Sequence, residues 1–387
     1  MYTLVLKKGE EKRADKHPWI FANTVQRIEG KDAQGSVAKV VTSSGRLVGY
    51  GFINHASKII VRLMTRDETP IDRALFLSRV REAKVQREAL GYSDNYRAVF
   101  SESDGLPGLI VDKYRDHLSV QILTLGMDLR RDMIVEVLRE VFSPACIYER
   151  SDVASRLKEG LEERKGLLYG TLDPALTITE NGLTLAIDLE NGQKTGYFLD
   201  QKETRAAIVR YASGRRMLDL FCNQGGFSLN AAKGGAREVT AVDVSESALA
   251  QVEKNAALNG FSCIRTQKED VFAYLREQKR AGEKYDLIVL DPPAFTKSAD
   301  TVKEGYKGYL SVNAAALALL QKGGVMFTCS CSRFMTIPLF LKMVEEASAL
   351  AKCEVKLLEV RTQAPDHAAK VSLDDALYLK TVVLMRV

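Results

Sequence analysis

An α/β fold built on a doubly wound parallel sheet is expected for the C-terminal half of this 387-residue chain, and three observations predict it. First, from about Asn191 the strand-like runs RMLDLF, EVTAVDV, YDLIVLDPP and GGVMFTCS alternate with helical stretches. Such alternation calls for crossover connections, which place helices on both faces of a parallel sheet. Second, the helical stretch SESALAQVEKNAALNG begins and ends with suitable chemistry: Ser245 as N-cap and Asn259-Gly260 as the stop. Third, the first two strands each carry a carboxylate, Asp219 and Asp243. Between them lie Gly225-Gly226, a helical segment and Gly234-Gly235.

The other elements follow in chain order. The first seventy or so residues read as all-β, with turns at Ser44-Gly45 and Asn54-His55. Pro70 precedes a helix, IDRALFLSRVREAKVQREALGY, whose ragged apolar face is Leu75, Leu77, Val80, Ala83 and Val85. Arg73, Arg79, Arg81, Lys84 and Arg87 line much of the rest. A solvated face is the simplest account of them, and an RNA contact is the alternative. Residues 96 to 187 mix strands (GLIVDKY, HLSVQIL), a helix (MDLRRDMIVEVLREVF) and a hairpin turning at Asn181-Gly182. Two more strands, EVKLLEV and LYLKTVVLMRV, end the chain. The expected division is 1–70, 71–190 and 191–387.

Composition narrows the function classes. The hydrophobic fraction is 46%, ample for ordinary cores, and no run is long and apolar enough to span a bilayer. The opening residues MYTLVLKKGEEKRADK have no apolar core before their charges. The six cysteines are scattered, so a reduced, cytoplasmic protein is expected. Cys329 and Cys331 stand one residue apart, which is not zinc spacing, and no metal is expected. A net charge of +5 is compatible with a nucleic-acid partner without requiring one.

In an open parallel sheet the ligand lies beyond the carboxyl ends of the strands. The loop Cys222-Asn223-Gln224-Gly225-Gly226 leaves the first strand there, and Asp243 ends the second, placed to bind ribose hydroxyls. Both features would suit NAD, but the dinucleotide fingerprint Gly-x-Gly-x-x-Gly is missing. Asp219 inside the first strand would repel a pyrophosphate and suits the cationic end of S-adenosylmethionine. Asp270 follows the third strand, where it could accept from an adenine amine. Asp291-Pro292-Pro293-Ala294-Phe295 follows the fourth. Two prolines cannot continue a ladder, so the chain leaves the sheet there. Phe295 offers a stacking face of the kind that holds an extruded base.

These residues carry a resemblance. The C-terminal half resembles a class I S-adenosylmethionine-dependent methyltransferase. The whole chain is similar to the bacterial large-subunit ribosomal RNA cytosine-5 methyltransferases that begin with a PUA domain. The matching segments are HPWIF (17–21), SDGLPGLIVDKY (103–114), GYFLDQKETR (196–205), LDLFCNQGGF (218–227), LDPPAF (290–295), TCSCS (328–332) and APDH (364–367). The resemblance implies an N-terminal PUA β-barrel for RNA, a central α+β domain and a Rossmann-like methyltransferase domain. It brings Asp200 and Gln201 in as cofactor contacts, beside Asp219, Phe221, Asn223, Gly225, Asp243 and Asp270. Ribosomal RNA of the large subunit, or its assembly intermediate, is the expected partner; no membrane is expected, and a homodimer is allowed for.

Carbon 5 of a pyrimidine is a weak nucleophile until a thiolate adds to carbon 6. Cys331 matches the family's catalytic cysteine, with Asp291 beside it and Pro292, Pro293 and Phe295 toward the base. Cys222 reads as packing beside the cofactor loop. Many RNA cytosine-5 methyltransferases carry a second cysteine after the proline of the fourth-strand motif. Here that position is Pro293-Ala294, so either Cys329 substitutes or water or another base takes the proton. Asp-Pro-Pro with an aromatic also suits methylation of an exocyclic amine of guanine or adenine, which is the alternative. A non-catalytic RNA-binding assembly factor is the third reading. His17 and Trp19 could contact RNA, though Trp19 as barrel packing is at least as good an account. His367 either lines the site or is a loop histidine.

Overall fold

The computed structural model of the protein describes residues 1–373 and 376–387. The chain forms two compact units. One holds Met1–Ile178, Ile187–Leu199 and the segment starting at Pro365; the other holds Thr179–Ala186, Asp200–Ala364 and the C-terminal strand.

The first unit begins with β1 (Tyr2–Leu6), α1 (Glu11–Lys16), β2 (Trp19–Phe21), β3 (Val25–Glu29), β4 (Val37–Val41), β5 (Leu47–Ile53) and β6 (Ile59–Thr65). The strands pair in the order β2-β6-β5-β4-β1-β3. Their inward residues, among them Leu4, Leu6, Ile20, Val40, Ile53 and Val61, make one apolar cluster. The alternation along each strand is what directs one set of side chains into it.

Helix α2 (Arg73–Ala89) starts where Asp72 accepts the Leu75 amide at 3.1 Å. Its buried stripe is Phe76, Val80, Ala83 and Arg87, a 4-3-4 spacing. Two sequence expectations change here. Val85 lies off the stripe and is exposed. Arg87, read as solvated, is buried because Asp104 meets it with two hydrogen bonds of 2.7 and 2.8 Å.

Strands β7 (Asn95–Phe100), β8 (Leu109–Tyr114) and β9 (His117–Ile122) follow, then α3 (Leu125–Asp128), α4 (Arg131–Phe142), β10 (Cys146–Ser151) and β11 (Arg164–Gly170). The sheet runs β11-β10-β9-β8-β7 and shares a core with α2 and α4. Phe52 of β5 and Met64 of β6 join that core. The hairpin of β12 (Thr177–Glu180) and β13 (Leu183–Ala186) turns at Asn181 and Gly182, with φ of +52° and +71°. Both central residues of a type I′ turn need positive φ, and an Asn-Gly pair supplies it.

The second unit holds α5 (Lys202–Ile208), β14 (Arg216–Leu220), α6 (Gly226–Lys233), β15 (Glu238–Asp243), α7 (Glu246–Leu258), β16 (Ile264–Lys268), α8 (Val271–Ala281) and β17 (Tyr285–Leu290). It continues with α9 (Val302–Leu319), β18 (Leu320–Ser330), α10 (Ile337–Leu350), β19 (Val355–Thr362) and β20 (Lys380–Arg386). The sheet order is β16-β15-β14-β17-β18-β20-β19. Leu218, Ile288 and Met326 face α8, α9 and α10, while Met217, Val289 and Phe327 face α5 and α6. Both faces are covered, as a doubly wound sheet requires. Ser245 caps α7 by accepting the Ala248 amide at 3.2 Å. The one departure from a parallel sheet is β20, antiparallel to both β18 and β19. No α-helix lies between β19 and β20 among the described residues, and a connection without a crossover delivers an antiparallel neighbour. Among the described residues, no helix is long and apolar enough to cross a membrane.

Candidate active site

Parallel register brings the sequence candidates to one edge. Leu220 pairs with Val242 and Leu290, Leu290 with Thr328, and Asp243 with Lys268. Asp243, which ends β15, and the residues just beyond these pairs, from Phe221 to Gly225 and at Asp270, Asp291 and Cys331, therefore lie at the same end of the sheet.

Asp219 is the second-last residue of β14 and is buried. Its Oδ2 accepts from the Ser228 amide at 3.0 Å and the Ser228 hydroxyl at 2.6 Å. Its Oδ1 is sealed from solvent without a hydrogen-bond partner. Burial pushes this carboxyl up to about 7 against the pull of Ser228, and the charge of Asp243 adds to the push. A buried acceptor left unmade costs about 1–3 kcal/mol, more when charged.

The loop after Asp219 is wound tightly. Phe221, Asn223 and Gly225 have φ of +60°, +48° and +77°. A bulky residue in that region is an outlier, and strain of this kind concentrates at functional sites. At Gly225 any side chain would begin 2.9 Å from the Val252 methyls, so the position excludes larger residues. The turn is braced by Asp243, whose Oδ2 accepts the Asn223 amide and whose Oδ1 accepts the Ser245 amide, both at 3.0 Å. Each Asp243 oxygen keeps further acceptor capacity. Asp270 is exposed and caps α8, accepting the Ala273 amide at 2.9 Å.

Two more acids complete the edge. Gln201 donates through Nε2 to Asp291 Oδ2 at 2.6 Å, and its own Oε1 is buried without a partner. Asp200 is held by the Tyr378 hydroxyl at 2.5 Å, and its carbonyl accepts the Ala364 amide at 2.8 Å.

The cysteines separate sharply. Cys329 is fully buried in the core under α5 and α6, and its sulfur lies 3.2 Å from the Thr381 hydroxyl. Burial, then Asp291, pushes its thiol well above the ordinary value. Cys331 stands just past the end of β18 and is half-buried. Ser330 donates to the Tyr309 hydroxyl at 3.0 Å, and Ser332 donates to the Thr296 carbonyl at 2.7 Å. The second bond ties the Cys331 loop to the loop that carries Asp291. Cys222 is buried, and burial raises its thiol as well, in keeping with packing.

The profile of the S-adenosylmethionine-dependent methyltransferases matches residues 165–383, more than half of the chain. The chain belongs to this family. A PUA-like domain profile matches residues 4–66. The ribosomal RNA large subunit methyltransferase I of Aeromonas salmonicida is 41% identical, over 98% of both chains. The protein of the same name from Shewanella amazonensis is 42% identical, again over 98% of each. Two solved structures share the fold over the full length of both chains at 23% identity. They are a methyltransferase of Streptococcus mutans (TM-score 0.85) and a methyltransferase in complex with S-adenosylhomocysteine (TM-score 0.87). The protein is thus an S-adenosylmethionine-dependent methyltransferase, with the α/β methyltransferase fold and an N-terminal PUA-like domain.

The donor set of the methyltransferase edge fits this cofactor. A buried carboxylate oxygen without a partner suits a cationic ligand. Farther along, Pro292 is buried and Pro293 exposed. The Phe295 ring packs on Tyr309 (4.8 Å between centroids) and Phe272 (6.3 Å), over Gly308 of α9.

The histidines and the tryptophan have structural partners. Trp19 donates to Glu102 at 2.7 Å with the Arg62 guanidinium over its ring, and the His17 ring meets it edge-on. His367 is buried beside Asp366 and packs against Phe100 in the first unit. Sequence reading passed over Ser228, Tyr309 and Lys380. Only Lys380 left a signal: a lysine inside the apolar strand LYLKTVVLMRV, here buried.

Proposed function

We propose that this methyltransferase forms 5-methylcytidine in large-subunit ribosomal RNA, with Cys331 as the nucleophile. Relatives spanning nearly the whole chain are named for methylating that RNA. The observation that supports the choice of atom is the contrast between the two cysteines. Cys329 is sealed in the core, whereas Cys331 leaves the sheet at the edge where Asp291 and Gln201 meet.

The PUA-like segment docks the RNA, and residues 71–190 connect it to the catalytic domain at 191–387. Asp219 takes the cationic end of the cofactor through Oδ1, and Asp243 takes the ribose hydroxyls. Asp270 takes the adenine amine, and Phe221, Asn223 and Gly225 shape the loop beneath. Asp200 and Gln201 close over it. When bound, S-adenosylmethionine supplies an electrophilic methyl group. The Cys331 thiolate forms a bond to carbon 6 of cytosine, and the electron pair of the 5,6 double bond becomes nucleophilic at carbon 5. Asp291, oriented by Gln201, holds the polar edge of the ring, while Pro292, Pro293 and Phe295 border the base. Once carbon 5 carries the methyl group, its proton leaves to water. The electron pair re-forms the double bond and expels the Cys331 sulfur. Cys329 is too deeply buried to take that proton.

RNA carrying 5-fluorocytidine cannot lose the carbon-5 substituent, so the enzyme should stay bonded to it through denaturing electrophoresis. Cys331→Ala should lose the adduct and at least about a thousandfold in turnover, whereas Cys329→Ala should keep both. Methylation of an exocyclic amine predicts no adduct and an active Cys331→Ala, and that result would sink the cytosine-5 reading.

A further inference from the structure

We infer that Lys380 is the cation that holds Cys331 as a thiolate, a positioning role that rests on the nucleophile reading above. Lys380 opens β20 and pairs directly with Ser330, the residue before Cys331. Directly opposed residues of an antiparallel pair put their side chains on the same face. Ser330 points to Tyr309 of α9, so Lys380 rises on that face, at the end of the strand where Cys331 emerges.

The lysine is 3% exposed, in surroundings that favour its neutral form. Its ammonium donates to the carbonyls of Ser332 and Met335, the latter at 2.6 Å. An ammonium has three donors, and these two bonds fasten it to the loop that carries Cys331 while leaving the third proton. Burial lowers Lys380 to about 8, and the interaction opposing that shift is with Cys331. The other titratable groups at this corner are Asp291 on the β17 loop, Tyr309 on α9 and Cys329 on β18. All three are acids: burial keeps the Tyr309 phenol and the Cys329 thiol protonated and neutral, so the carboxylate of Asp291 is the charge that opposes a thiolate here. Arg333, two residues beyond Cys331, is exposed to solvent, where screening weakens its pull. Lys380 thus supplies a shielded positive charge beside the thiol, the arrangement that lowers a cysteine below its ordinary value of about 8.5. The proton released by Cys331 goes to solvent, and Lys380 keeps its own.

The measurement is the pH dependence of Cys331 alkylation by iodoacetamide in the full-length protein, followed by mass spectrometry of the Cys331 peptide. In the wild type, Cys331 should reach half-maximal reactivity about one pH unit or more below 8.5. Lys380→Met should shift that midpoint up by about one unit, a roughly tenfold loss of reactivity near pH 7. Turnover should fall in step while KM for RNA holds, and Lys380→Arg should restore most of the shift. A wild-type Cys331 that titrates at or above 8.5 overturns the inference without any variant. So does a folded Lys380→Met protein with an unchanged midpoint. Neither result touches the nucleophile, which the 5-fluorocytidine adduct tests separately.

Discussion

Around the five-stranded sheet of the first unit, arginines with little or no exposure meet carboxylates. Arg87 is paired with Asp104 at 2.7 Å, Arg97 with Asp112 at 2.5 Å, and Arg156 with Asp128 at 2.9 Å. At the carboxyl edge of the seven-stranded sheet, Asp219 is as deeply buried and keeps one oxygen without a partner, and Gln201 does the same with its carbonyl. Arg87 and Arg156 are as deeply buried as Asp219, and their charges are met within the chain where one Asp219 oxygen is not. A charge answered within the chain specifies the fold. A charge left unanswered invites a partner from outside the chain, and in the proposed reading that partner is the cofactor. The difference locates the site more sharply than any pattern of glycines.

The largest loss is expected at Arg87. Arg87→Met would leave Asp104 buried and unpaired, with only the Phe100 amide, 2.5 Å away, still donating to it among the bonds described. Removing one partner of a buried pair costs about 3–5 kcal/mol, and urea unfolding of the first unit should register that loss. Changing Asp104 to leucine as well should recover a large part of it. A single-variant loss below about 1 kcal/mol would remove the claim that these pairs specify the fold.

Asp219→Asn should act in the opposite direction. The folded-state carboxyl sits at about 7, above its ordinary 3.8. A raised acid gives stability that is full below the unfolded value and is lost as pH rises through the folded one. The cofactor-free protein should therefore lose up to about 4 kcal/mol between pH 4 and pH 8 from this group, and the asparagine variant should not. Cofactor affinity should follow the other sign: in the wild type it strengthens as pH rises through 7 and Asp219 ionises. In the variant it should be flat and roughly 10- to 150-fold weaker, matching about 1.5–3 kcal/mol for a bond to a charged group. Calorimetry with S-adenosylhomocysteine at pH 6 and pH 8 reads both. Equal affinities in wild type and variant would separate the unpaired oxygen from the cofactor.

What could be read from the sequence was local. Strands β14 to β18, the Ser245 cap and the Asn181-Gly182 turn follow from periodicity and end chemistry within a few residues of each other. Asp243, Asp270 and Asp291 were legible because each ends or follows a strand whose partners run the same way, and Asp219 because it stands inside such a strand; Asp200 came from the family resemblance alone. What escaped depends on partners distant in sequence. Arg87 looked solvated because nothing within its helix announces Asp104, and the direction of β20 was not legible because only the sheet reveals which neighbours it inserts between. The family resemblance alone told Cys331 from Cys329; the physical difference came with the end of β18 at Ser330, since one residue before it faces a core and one residue after it leaves the sheet. Lys380 mattered only once β20 was laid beside that strand end.

Asp270 carries the smallest expected effect and tests how far the comparison extends. It is exposed, and its described role is already complete, because one oxygen accepts the Ala273 amide at the start of α8. It therefore resembles the answered charges of the first unit more than it resembles Asp219. Its proposed contact with the adenine amine must use the other oxygen. Asparagine caps a helix about as well as aspartate, but its remaining side-chain atom is a donor. Asp270→Asn should hold stability and lose about 0.5–1.5 kcal/mol of affinity for S-adenosylhomocysteine, the worth of one exposed hydrogen bond. Asp270→Ala should lose the same affinity together with about 1 kcal/mol of stability from the missing cap. Thermal melting and calorimetry on the two variants separate the roles. If Asp270→Asn binds as tightly as the wild type, Asp270 is a helix cap alone, and the cofactor contacts end at Asp243.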